Sequence, residues 1–189
     1  MTGGMFVKKV TKLMLVAGLS LALVGVGNSG ALNNVSSAAS APLKVGRVEA
    51  AAHGTKCFTV AVAVVQNGVI VAASLDDYQF LSTDVAKGVP NSDKDFGQNY
   101  KDPNVVLASK KANSKYYSEH MAEAAGSTVA YDKNLAAIEK FATGRTIKSL
   151  EQTLTYKSAE QVVDAVSGAT LVDTHGYLKA ILDAAKAAK

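Results

Sequence analysis

Cys57-Phe-Thr-Val-Ala-Val-Ala-Val-Val-Gln66, then Asn67-Gly68, then Val69-Ile-Val-Ala-Ala-Ser-Leu75 is the stretch that decides the fold. Two apolar runs flank an Asn-Gly pair. Both turn residues of a two-residue hairpin need positive φ, which Asn and Gly tolerate best, so the pattern predicts two antiparallel strands. Phe58, Val60, Val62 and Val64 fall on one face at period two. The other face is small or β-branched, so both faces are candidates for burial. Cys57 reads as a small strand residue. Asp76 and Asp77 close the second strand. As sequence neighbours they point to opposite faces and cannot converge on a cation, and together they read as a solvated strand end.

Beyond the hairpin the pattern turns helical. Residues 82–103 are polar and turn-rich and lack the acid spacing of a calcium loop, so they read as a surface excursion, with a short strand at 104–108. Residues 114–124 predict a helix with Tyr117, Met121 and Ala124 on one face and Tyr116 and His120 beside it. Packing is the ordinary role of such tyrosines, and stacking on a cofactor ring the alternative. Leu135, Ile138 and Phe141 repeat at helical spacing before Gly144, and Thr146 opens a further turn. Ser158-Ala-Glu-Gln161 has the form of a capping box. Tyr177, Leu178, Ile181, Leu182 and Ala185 mark the apolar face of a last helix. The fold class is therefore α+β: a small antiparallel sheet with an N-terminal hairpin, packed with several helices.

Ahead of the hairpin, Lys8, Lys9 and Lys12 precede an uncharged apolar run at 13–26. That is the layout of a secretory signal, and the run is shorter than the roughly 18 residues that argue for a membrane-spanning helix. Cleavage candidates are Ser29-Gly30-Ala31, Ala39-Ser40-Ala41 and Ala50-Ala51-Ala52. The expected organisation is a signal at 1–31, with cleavage anywhere in 31–52, a flexible linker at 32–52 and a folded domain at 53–189. The protein would then be exported, to a periplasmic, cell-surface or extracellular location. An uncleaved signal would anchor it to the membrane.

Composition excludes several function classes. The 189 residues contain one cysteine and three histidines, His53, His120 and His175. Internal disulfides, a CxxC pair and a cysteine-ligated zinc site are ruled out, and a histidine metal site is disfavoured. The formal charge is +4, with 20 basic and 16 acidic residues. Setting aside the three lysines of the signal leaves near balance, and no basic patch interleaved with aromatics supports nucleic-acid binding.

One stretch carries a chemical signal, Asp164-Ala165-Val166-Ser167-Gly168-Ala169-Thr170. It sits between the short helix opened by the capping box and the last helix. Small residues let another molecule approach, and Gly168 adds freedom in φ. A threonine on such a turn at a helix start is placed to carry a phosphate, where unpaired N–H groups and the helix dipole favour a negative group. Asp164 is either a recognition contact or a local cap. Ser167 is the alternative hydroxyl. Ser167 lacks the elbow motif of a serine hydrolase, and no His–Asp partner pair is suggested.

Asp164 with Ser167-Gly168-Ala169-Thr170 resembles the D-x-x-[ST]-G-A-T flavinylation motif of the FMN-binding domain family. That family includes the covalent-flavin subunits of the sodium-pumping quinone reductase and of the Rnf complex, and secreted flavoproteins of bacterial extracellular electron transfer. The Asn67-Gly68 hairpin with its Asp-Asp-Tyr-Gln-Phe end resembles the sheet edge that opens the secreted domains. Ala136-Ala-Ile-Glu-Lys-Phe-Ala-Thr-Gly-Arg-Thr146 resembles their helix ending in a G-[KR]-T turn. The likeness spans about residues 53–188.

The resemblance implies that Thr170 carries FMN through a phosphoester. A separate flavin transferase, using a divalent metal, would donate the FMN from FAD. It implies an electron carrier more than an enzyme with its own substrate, taking electrons from a membrane quinol or dehydrogenase and passing them to a terminal acceptor or reductase. The chain departs from many members at Val172, where a second hydroxyl is common, and has no cysteine after the signal for lipid attachment. A module binding flavin non-covalently, or a structural cell-surface domain in which residues 167–170 only pack a helix, are the competing readings.

Overall fold

The computed structural model describes residues 41–98 and 102–189. The expected export signal and the cleavage candidates before Ala41 lie outside the described residues, as do positions 99–101 of the polar excursion. The elements run β1 (Lys44–Ala50), β2 (Cys57–Gln66), β3 (Val69–Ser82), β4 (Val105–Ser109), α1 (Ser114–Ala125), α2 (Tyr131–Ala142), α3 (Ile147–Tyr156), α4 (Ala159–Ala165) and α5 (Thr174–Lys186). A 3₁₀ turn, Asp95–Gly97, lies in the excursion between β3 and β4.

The four strands form one antiparallel sheet in the order β1-β2-β3-β4. With the five helices among the described residues this is the expected α+β arrangement. Asn67 and Gly68 both take positive φ, at 52° and 74°, and form the tight turn between β2 and β3. The turn also organises the helices behind it. Gly68 and Ile70 exchange backbone hydrogen bonds with residues 144–147, so the Gly144-Arg145-Thr146 turn is stitched to the hairpin. Thr146 then caps α3 by accepting from the Ser149 N–H, and Ser158 and Gln161 complete the capping box of α4.

The linker expected at 32–52 is corrected at seven of its positions. Residues 44–50 are a strand, paired along their whole length with β2 from Lys44↔Val65 to Ala50↔Thr59. Its charged and small residues hide it as a sequence signal, yet Val48 packs on the core while Val45, Arg47 and Glu49 face outward.

The valine face of β2 is not the core face. Thr59, Ala61, Ala63 and Val65 are buried, while Phe58 is exposed and Val60, Val62 and Val64 are half-buried. Small side chains turn inward because α5 lies close over the sheet. A Cβ on Gly46 would stand 1.9 Å from the Ala184 carbonyl oxygen, an approach only glycine permits. The core between sheet and helices joins Ile70 and Leu75 to Leu135, Ile138, Leu150, Leu178 and Ile181.

Asp77 is a second correction. Asp76 and Asp77 do face opposite sides of β3, but Asp77 is fully buried, not solvated. Its carboxylate accepts hydrogen bonds from the hydroxyls of Thr59 on β2, Tyr131 on α2 (3.1 Å) and Tyr177 on α5 (2.6 Å). The buried Lys110 ammonium stands 3.4 Å away. The charge is retained in the interior because three hydroxyls and a buried ammonium surround the carboxylate. Asp76, on the other face, accepts from Ser109 and from the Lys111 N–H, tying down the end of β4.

Candidate functional site

The Asp164–Thr170 stretch leaves α4 and makes a turn that the core holds from beneath. Val166 and Ala169 are buried, Gly168 sits at φ 91°, and Ser167 and Thr170 are exposed between these anchors. A side chain at 168 has room, since its Cβ would meet only the Ala137 Cβ at 3.5 Å. The glycine is thus required by the turn and not by crowding.

Asn134 fixes the turn to α2. Its side-chain oxygen accepts the Thr170 N–H at 2.6 Å and the Thr170 hydroxyl at 3.3 Å. Its amide nitrogen donates to the carbonyls of Val129 and Ala130. Asn134 is fully buried, and all of its hydrogen-bonding groups are used in holding one loop to another. Sequence reasoning missed it. The available signal was a polar residue on the apolar face of α2, one position before Leu135 and four before Ile138.

Thr170 opens onto a cavity of about 410 Å³. Tyr117 and Met121 of α1, Tyr131 of α2 and Tyr177 of α5 form its aromatic and thioether wall, and residues 170–173 its rim. The volume falls in the range of roughly 300–1,000 Å³ usual for small-molecule sites. Of the two tyrosines weighed for ring stacking, Tyr117 lines the cavity. It meets the Tyr131 ring edge-on, with centroids 5.0 Å apart. Tyr116 instead stacks on His120 along α1.

The wall is rigid because its tyrosines are bonded from behind. The Tyr131 and Tyr177 hydroxyls both donate to Asp77, so their rings cannot turn without breaking those bonds. Burial drives both phenols far above the ordinary tyrosine range, and Asp77 and the neighbouring phenol add to the effect at Tyr131. Lys110 completes the rear layer, its ammonium 4.7 Å from the centre of the Tyr117 ring. Burial alone would pull its pKa down, but the charge of Asp77 and the Tyr117 hydroxyl more than offset this and hold it above the ordinary value.

The remaining motif residues are not all brought together. Ser167 lies off the cavity, in a separate depression beside Phe141, Gly144 and Arg145. Asp164 is exposed at the C-terminal end of α4, and no hydrogen bond or ion pair engages its carboxylate among the described residues. It is no local cap, because α4 is capped by Ser158 and α5 has its N-cap at Asp173.

The structure also supplies a His–Asp pair that the sequence did not suggest. His53 Nδ1 and the Asp173 carboxylate are 2.6 Å apart, and both residues line the cavity. Gly176 makes this possible: a Cβ there would stand 2.4 Å from the Ala52 carbonyl oxygen, so only glycine lets residue 53 reach the start of α5. Cys57 adds a bond from its thiol to the His53 carbonyl, and burial pushes that thiol up from its ordinary pKa. Ser167, on the other depression, is no partner for this pair.

Comparison with protein-family models, with curated proteins and with solved structures found no match.

Proposed function

We propose that this chain is an exported flavoprotein that holds FMN by a phosphoester to Thr170 and relays electrons outside the cytoplasmic membrane. The observation that carries the reading is the position of the Thr170 hydroxyl, exposed on a braced turn and opening onto a cavity walled by three tyrosines. These residues fit the group. Tyr117 and Met121, both part-buried, offer apolar surface to a planar isoalloxazine, and the buried Tyr131 and Tyr177 back that surface from the core. Thr170 at the rim gives a phosphate access to solvent, and small neighbours at 168 and 169 leave the hydroxyl open to a transferase.

The division of labour follows from that arrangement. When bound, the flavin would supply the electron transfer, and the protein contributes attachment, orientation and local charge. Asn134 holds the acceptor turn. The Asp77-bonded tyrosines give the ring a fixed wall. Asp164, at the end of α4 where the helix dipole disfavours a carboxylate, is the recognition contact for the transferase. Covalent attachment keeps the cofactor from diffusing away outside the cell. The donor class is a membrane quinol or dehydrogenase, and the acceptor class a terminal oxidant or reductase.

The test is co-expression with a flavin transferase, followed by intact mass measurement and in-gel fluorescence of the denatured protein. The expected result is an FMN-sized mass gain in the parent protein and in Ser167→Ala, absent in Thr170→Ala. Fluorescence that washes out on denaturation would move the reading to non-covalent binding in the same cavity. Absence of flavin both before and after denaturation would defeat it.

A further inference from the structure

His53 and Asp173 are 120 residues apart in sequence, and the fold spends two close approaches on joining them. Gly176 lets the Ala52 carbonyl against α5, and the Cys57 thiol binds the His53 carbonyl. Asp173 takes up Nδ1. Whenever the imidazole carries a single proton, the Asp173 carboxylate places it on Nδ1 and leaves the lone pair on Nε2, the arrangement in which a carboxylate prepares a histidine for proton exchange. Nε2 has no protein partner among the described residues, and His53 lines the cavity.

The groups facing it leave it the task. They are Asp173 and Tyr177 from α5, Tyr117 from α1, Tyr131 from α2 and Cys57 from the start of β2. Burial keeps Tyr131, Tyr177 and Cys57 protonated at neutral pH. Lys110 and Asp77 behind the wall are paired with each other.

We propose that His53, oriented by Asp173, is the proton-exchanging residue of the cavity and takes up a proton at Nε2 when the bound cofactor is reduced. The proposal rests on the flavin reading above. Two electrons from the quinol or dehydrogenase donor and one proton on the ring leave the reduced flavin with one negative charge. His53 then binds a second proton, drawn from water, and becomes the imidazolium that balances that charge. Two electrons and two protons enter the site, and its net charge is unchanged. Reoxidation returns the second proton to water.

The experiment is a potentiometric titration of the flavinylated protein between about pH 5 and 9. Two protons per two electrons give a slope of about 60 mV per pH unit and one proton about 30 mV. The parent protein should keep the steeper slope to a pH at least about one unit higher than His53→Asn, a tenfold difference in proton affinity. Asp173→Asn should shift the break part of the way in the same direction, and it carries the test if His53→Asn fails to fold. Nitrogen NMR of the flavin-free protein should show neutral His53 protonated on Nδ1 in the parent and a mixture of tautomers in Asp173→Asn. A break at the same pH in parent and variants, with the FMN mass gain present in each, overturns the role of His53 and leaves the flavin reading standing. Absence of flavin from the parent protein overturns both.

Discussion

Thr170 is held by its backbone more than by its side chain. Its N–H bond to Asn134 is the short one, at 2.6 Å, whereas the hydroxyl bond is 3.3 Å and easily given up. On the proposed function, this suits a hydroxyl that must enter a transferase's site: the turn stays while the hydroxyl leaves. Asn134→Ala should therefore cost about 1–3 kcal/mol by stripping partners from the part-buried backbone groups of Val129, Ala130 and Thr170, and should slow flavin attachment although it leaves Thr170 in place. Urea unfolding and the time course of the mass gain separate the two effects. Gly168→Ala should cost about 1–2 kcal/mol through its positive φ alone, because its Cβ meets nothing closer than 3.5 Å. A cost near zero would mean that the turn has another conformation available. At this scale the sequence was legible where a local pattern sets the backbone, as in the turn at Gly168. It was silent on Asn134 and His53, whose roles depend on partners 36 and 120 residues away.

At the scale of elements, local signals read well and long-range ones did not. The Asn67-Gly68 turn, the capping box at Ser158 and the spacing of α2 and α5 are each determined within a few residues, and each was readable. The strand β1 was not, because its pattern of charged, small and apolar residues acquires meaning only beside β2. The same cause left the core face of β2 open in the sequence. Valine at period two signals a strand but not which side α5 will cover, and α5 selects the alanine face because it sits so close. Gly46→Ala tests that closeness. Its Cβ would collide with the Ala184 carbonyl and the Ala188 N–H, at 1.9 and 2.7 Å. The expected cost is about 1–3 kcal/mol, as for overpacking elsewhere. Amide exchange should rise in β1 and at the Val45–Lys189 backbone pair, while the β2–β3 hairpin stays protected. Uniform loosening of the whole sheet would contradict the view that α5 seats β1 separately.

For the molecule as a whole, the buried carboxylate of Asp77 is the common tie. It joins β3 to β2 through Thr59, to the β4–α1 connection through Lys110, to α2 through Tyr131 and to α5 through Tyr177. Asp77→Asn removes the counter-charge of a fully buried lysine, and breaking such a pair costs about 3–5 kcal/mol. The tie also predicts how stability depends on pH. Tyr131, Tyr177 and Lys110 all have folded-state pKa values above their ordinary ones. Groups raised in this way contribute stability that is complete below the unfolded-state pKa and is lost as pH climbs toward the folded value. The unfolded chain releases these protons near pH 10, and the folded protein does not. Each such group then removes about 1.4 kcal/mol of stability per pH unit. Stability should be level through neutral pH as far as these three groups are concerned, and should fall steeply above about pH 10. Tyr177→Phe deletes one of the three protons. Its stability at neutral pH should be lower by the lost hydrogen bond, but its alkaline decline should be shallower by about 1.4 kcal/mol per pH unit. Urea unfolding at a series of alkaline pH values measures both slopes. Parallel slopes in the parent and in Tyr177→Phe would show that Tyr177 ionises in the folded protein as freely as in the unfolded chain, and that Asp77 does not hold the cavity wall as described.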